Sequence, residues 1–459
     1  MLRTMKKTIL LLLSVLAVAL ISCQDKFLEA KPDKALLVPA TPDDFQALMD
    51  DAFTMNTMPG LSIISDGDYS ISDAGWKAFS VPYVTNSYIW AEQIYEGQGV
   101  TDWSMPYQQV FNANIVLEGL GKLDRGAVGD QRYNELKGSA LFYRALAFFN
   151  IAQTFAAPYD KSTLAATPGI PVRLSSDINS PSSGGTLQET YQQIEHDLLA
   201  AMPLLPDRAR PANRPSKQAA RAFFARMYLA MEEYDKAERY ADSCLKVQNS
   251  LLDYNNLDTN STRPFPAVFS GDNPEVIYYL VLRGNSFTVS SLATVEPLLY
   301  DLYQAGDLRK KLFFRDRGSG IYTFKGSYNG ANTIAGTLFG GFATDELYLI
   351  RAECYARRGE KELAEKDLNT LLSMRFKSEN FAPVHTADAG SALERVMLER
   401  RKELIERGLR WYDLRRLNKD PRFAVTLRRV VDGTTYTLPP NSARYTFPFP
   451  DDEIKAGGF

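Results

Sequence analysis

The sequence is poor in the side chains that most often carry out chemistry. It holds two histidines, His196 and His385, far apart in the chain, and three cysteines in 459 residues. No zinc motif of closely spaced histidines can be drawn from that set, and a disulfide-stapled fold is excluded by count. A formal net charge of −3 leaves no broad basic surface for a phosphate backbone, so nucleic acid is not an expected partner. No P-loop, dinucleotide fingerprint, Ser-His-Asp or Cys-His arrangement is present, so no catalytic residue and no cofactor is expected. Scattered acids do not by themselves make a glycosidase, whose two carboxyls must flank one bond. The balance is otherwise that of a globular chain with a large core: 45% hydrophobic, 23% charged and, more unusually, 12% aromatic.

The one long apolar run is N-terminal. Arg3, Lys6 and Lys7 precede residues 9–21, which are interrupted only by Ser14 and are too few to span a bilayer comfortably. Leu20-Ile21-Ser22-Cys23 resembles the lipobox of bacterial lipoproteins. Residues 1–22 therefore read as a signal peptide, Cys23 as the lipidation site and 23–42 as a polar tether. Cys244 and Cys354, within helical patterns, are expected to be buried and inert.

Apolar spacing of three and four runs through most of the chain outside two windows, 55–110 and 250–340. In 133–155 the stripe is Ala140, Tyr143, Ala147 and Ile151, stopped by Pro158. A pattern also repeats: Ala225-x-x-Tyr228 followed by Ala237 recurs 127 residues on as Ala352-x-x-Tyr355 followed by Ala364. Each copy has a long helix, a short turn and a second helix whose alanine permits close approach, resembling the tetratricopeptide hairpin. Such hairpins alone would suit a membrane-tethered scaffold that binds only proteins.

The first window argues for more. Ten aromatic residues fall in the 43 positions from Tyr69 to Phe111, among breakers such as Asp66-Gly67-Asp68, Asp73-Ala74-Gly75 and Val81-Pro82. Flat rings on loops beside polar groups suit a sugar or another amphipathic ligand, and Trp76, Tyr83 and Asp66 are the candidate contacts. Trp103, Tyr107 and Phe111 keep helical spacing, so Trp103 is expected in the core, as is Trp90. Calcium binding through Asp66 and Asp68 is rejected, because Lys77 stands where an EF-hand needs glutamate. Near the C-terminus, residues 400–429 hold eleven basic and four acidic side chains. Glu403 with Arg407 and Glu406 with Arg410 are spaced for i,i+4 pairing, so a solvated, internally paired helix is expected in preference to an anion site, weakened at Gly408 and with Trp411 packed beneath it.

These pieces, taken in order, resemble the SusD/RagB family of nutrient-binding outer-membrane lipoproteins. The blocks are Cys23; 135–155 followed by Pro168-Gly169-Ile170-Pro171-Val172; 213–240; Leu347-Tyr348-Leu349-Ile350-Arg351-Ala352-Glu353-Cys354-Tyr355-Ala356; 399–416; and 448–454. The resemblance implies one mainly α domain over 23–459, a SusD-like α-α superhelix of tetratricopeptide-like hairpins with a loop-rich, partly β variable region. It also implies a lipid anchor in the outer membrane, facing the cell exterior, a glycan or peptide ligand, no catalysis, and delivery to a SusC/RagA-type TonB-dependent barrel.

Overall fold

A computed structural model describes residues 39–457 except 181–183, 268–269, 285, 289 and 331–336. The expected signal peptide, the lipidation site Cys23 and nearly all of the 23–42 tether lie outside the described residues. From Thr41 onward the chain forms one unit.

That unit opens with α1 (Pro42–Asp50), capped by a reciprocal pair in which Thr41 and Asp44 each satisfy the other's backbone N–H. Three short helices follow in the first window, α2 (Leu61–Ser65), α3 (Asp73–Ala78) and α4 (Pro82–Tyr88). The long helices then begin with α5 (Thr101–Leu120) and α6 (Asp130–Phe155). Every residue of α6 from Ala140 to Phe155 is buried, the mark of a helix enclosed on all sides. It packs between α5 and α7 (Leu187–Ala201).

The sequence repeat is a structural repeat. Helices α8 (Lys217–Ala230) and α9 (Tyr234–Leu245) form one hairpin, and α10 (Thr344–Arg357) and α11 (Lys361–Ser373) form the other. Glu232 and Gly359 occupy matching positions after the first helix, both with positive φ, at 59° and 90°. The next residue's N–H then turns back to the matching tyrosine carbonyl, Glu233 to Tyr228 and Glu360 to Tyr355, each at 2.9 Å. Ala237 and Ala364 are fully buried where the helices approach, and Phe224 stacks on Tyr240 at 4.3 Å across the first hairpin. Cys244 and Cys354 are free and buried; burial pushes the Cys244 thiol up to about 12 and the Cys354 thiol higher still.

Strands are short and serve as clasps. β1 (Thr57–Met58) runs parallel to β3 (Val281–Leu282), and β2 (Tyr69–Ser70) pairs antiparallel with β4 (Thr294–Val295), so the two loop-rich windows are stitched together twice. The Gly340-Gly341 turn before α10 exists for close approach: a Cβ on Gly341 would overlap the Tyr278 carbonyl. Its carbonyls receive Arg226, whose guanidinium also pairs with Glu346 at 2.6 Å and so locks α8 to α10.

The C-terminal charged segment corrects the expectation of a solvated helix. It is two helices, α12 (Ala389–Glu403) and α13 (Arg410–Leu417), separated by a turn in which Glu406 and Gly408 have positive φ. The break destroys the i,i+4 register, and neither expected pair forms. Glu403 instead meets Arg309 and Arg375, Arg407 meets Asp345 at 2.6 Å, and Arg416 meets Glu353 at 2.5 Å, all buried. Trp411 is buried as expected, against Tyr445 and Phe447.

Candidate functional site

The first window is fixed to the rest of the fold by buried hydrogen bonds and ring contacts. Asp102, on α5, accepts the Gly60 and Leu61 amides at 2.7 Å each and so satisfies the N-terminus of α2. At the other end of α2 the Trp90 indole donates to the Ser65 carbonyl at 2.9 Å, and Ser65 Oγ donates to the Ser87 carbonyl. Tyr69, Phe79 and Tyr88 surround Phe287 from the second window, at centroid distances of 5.1, 5.9 and 6.2 Å. The Arg429 guanidinium lies 3.7 Å from the Tyr88 ring centre and 4.5 Å from that of Trp90. Trp90 and Trp103 are thus both core residues, Trp103 against Tyr107, Phe155 and Phe449.

Trp76 and Tyr83 remain half-buried, on α3 and α4. The Trp76 indole N–H donates inward to the Thr85 carbonyl at 3.2 Å, which joins the two helices and fixes the indole plane. The tip of the hairpin formed by β5 (Leu427–Val431) and β6 (Thr434–Leu438) secures the other side of α3: Lys77 pairs with Asp432 at 2.7 Å, and the Asp432 amide donates to Asp73. Burial raises the Tyr83 phenol pKa, with Asp102 adding to the effect and Arg283 opposing it. A ring face fixed in position and partly open is what stacking against an apolar sugar surface requires.

Asp66 does not join them on the open side. It is 4% exposed at the end of α2, and its carboxylate accepts the Asp68 amide at 3.0 Å. Burial, then the charge of Asp68, pushes its pKa well up; Glu406, behind it, is raised by burial and by both aspartates. Asp66 therefore belongs to an interior acidic cluster beneath the aromatic helices.

Two features escaped the sequence reading. Tyr300 closes a short helix, Pro297–Tyr300, and stacks on Tyr322 of strand Tyr322–Phe324 at 3.6 Å and 12°, with Lys310 Nζ 4.5 Å from the Tyr300 centroid. Both rings are half-buried, and Leu298, on the same short helix as Tyr300, is 74% exposed. Because β2 and β4 are antiparallel, α3 with Trp76 and the helix ending in Tyr300 leave that pair in opposite directions, giving two separate aromatic platforms. The rings are 22 positions apart in a stretch without periodicity, so no local pattern marks them. The second feature is a cavity of about 1020 Å³ bounded by Trp90, Glu92, Asp160, Lys419, Arg444 and Phe449. Its aromatic wall residues Trp90, Phe155, Tyr445 and Phe447 are buried. Among the described residues no group of three or more metal-ligating side chains is assembled, and no helix is long and apolar enough to cross a membrane.

Residues 26–229 match a SusD-like family described as starch-binding and associating with the outer membrane, and residues 344–456 match the SusD family. No curated protein matches. Solved structures similar to this chain include a SusD superfamily protein from Bacteroides thetaiotaomicron, with TM-score 0.72, 20% identity, and coverage of 91% of this chain and 98% of the other. A SusD superfamily protein from Bacteroides fragilis gives TM-score 0.71 at 19% identity over 92% and 99%. A SusD-like carbohydrate binding protein from Bacteroides vulgatus gives 0.65 at 19% over 91% and 97%. With the paired helical hairpins in place and both ends of the folded unit matched, the chain belongs to the SusD/RagB family.

Proposed function

We propose that this protein is a lipid-anchored receptor on the outer face of the outer membrane, which captures a glycan or another oligomeric nutrient and delivers it to a SusC/RagA-type TonB-dependent barrel. The observation that carries the reading is the Trp76 ledge: an indole whose polar edge is used internally and whose ring is left half-open, on a loop-rich segment of a SusD-type frame. The matched family's description as starch-binding and outer-membrane-associating supports the ligand class and the location. Trp76 and Tyr83 supply the stacking faces, with Asp66 acting from beneath by fixing the segment that bears them. The protein acts by binding and not by catalysis. A receptor that must pass its cargo on needs fast release, so its affinity for a single glycan is modest.

Calorimetric titration of candidate glycans into the purified protein tests the ligand class, and co-purification of a barrel from membranes tests the partner. Palmitate labelling that depends on Cys23 tests the anchor. Protein partners without any glycan binding would favour the tethered scaffold.

A further inference from the structure

Arg410 stands outside the hydrogen-bonded network of the C-terminal segment. Among the described residues the Arg410 guanidinium makes no hydrogen bond or ion pair, and its Nε is a buried donor without a partner. It lines a cavity of about 300 Å³ together with Arg400, Arg401 and Arg422, and with Met397, Leu398, Leu417 and Phe423 as apolar wall. The carboxylates within reach are already engaged or lie at the rim. Asp413 is held by Arg400 at 2.8 Å and by Arg416 at 2.9 Å, Asp68 is held by Arg401 at 3.2 Å, and Glu394 is exposed. Arg401 Nε and Arg400 Nη1 are further buried donors without a partner. Burial lowers the Arg410 pKa, and the like charge of Arg401 adds to that effect, while Asp68, Asp413 and Asp66 oppose it.

Guanidinium donors left unpaired in a partly desolvated pocket are costly, and a planar oxyanion is the group whose geometry matches them. We propose that this pocket binds an oxyanion, a carboxylate, sulfate or phosphate group, held by Arg410 and Arg401 with its carrier's compact body against Phe423 and Met397. The site is built on α12 and α13 and uses neither Trp76 nor Tyr83, so it stands whether or not the α3–α4 ledge binds glycan.

The test titrates the full chain with sodium glucuronate, sodium sulfate and neutral glucose at matched ionic strength, alongside Arg410→Gln and Arg428→Gln. Arg428 is an exposed arginine outside the pocket and controls for general charge. The expected result is saturable one-to-one binding of glucuronate, at least tenfold weaker in Arg410→Gln and unchanged in Arg428→Gln. Sulfate that competes identifies a general oxyanion site; sulfate that does not identifies a site needing a carboxylate with its carbon body. In chloride buffer free of oxyanions Arg410→Gln should melt no lower than the parent, because the guanidinium it removes makes no hydrogen bond or ion pair. Absence of saturable binding by both anions, or equal affinity in Arg410→Gln, overturns the proposal.

Discussion

Replacing Glu403 by glutamine asks whether the charged C-terminal segment is interior structure. One carboxylate oxygen accepts Arg375 Nε at 2.6 Å and the other accepts Arg309 Nη1 at 2.9 Å, with all three side chains fully buried. Removing one partner of a buried pair typically costs about 3–5 kcal/mol, because the remaining charge stays desolvated. Here the stranded cations keep other partners. Arg309 retains Asp307 at 2.8 Å and Glu399 at 2.6 Å, and Arg375 retains Glu275 at 2.8 Å. The loss should therefore lie at the low end, about 3 kcal/mol. Urea unfolding should show a lower midpoint with an unchanged slope, whereas Asp432→Asn, at an exposed pair, should leave the midpoint nearly where it was. Asp307 and Arg309 lie between Tyr300 and Tyr322 in the chain, so hydrogen exchange across 300–324 should accelerate more in Glu403→Gln than exchange in α6. A loss below about 1 kcal/mol would refute the view that this segment is held by buried ion pairs.

Trp76→Ala should weaken glycan binding about tenfold, and Tyr83→Ala by a similar factor, in calorimetric titrations of folded protein. Burial alone would raise the Glu353 carboxyl, but Arg416, then Arg357 and Arg400, hold it down at about 2 against an ordinary 4.5. Its folded pKa is thus depressed, so its contribution is fully present above pH 4.5 and is lost as the pH falls toward 2, a decline of about 3 kcal/mol that Glu353→Gln should abolish in acid titrations of stability. Gly359→Ala should cost about 1 kcal/mol in thermal or urea unfolding, because φ is +90° at that turn, with no effect on ligand affinity.

The parts of the fold that were legible are those written in local chemistry. Small residues at Ala225, Ala237, Ala352 and Ala364 with a turn between them specify a helical hairpin wherever they occur, and the 127-residue offset survives down to matching left-handed turns at Glu232 and Gly359. The charged segment was misread because i,i+4 reasoning assumes an unbroken helix in water. Its actual partners, Asp307, Arg309, Asp345 and Arg375, come from elements that only folding brings near. Asp66 failed as a surface contact for the same reason: a carboxylate between serine and glycine reads as exposed loop, while Glu406, which adds to its burial and to the local negative charge, is brought there only by the tertiary fold. The Tyr300–Tyr322 platform joins two positions with no shared period, so only the folded chain reveals it.

The most direct test of the central claim is titration of a panel of polysaccharides and their oligomers into the purified protein and into a Trp76→Ala/Tyr83→Ala double variant of equal thermal stability. The account predicts saturable, modest-affinity binding of at least one glycan by the parent and its loss in the double variant. Saturable binding that persists undiminished in the double variant, or no glycan bound by a parent that still captures protein partners, would contradict it.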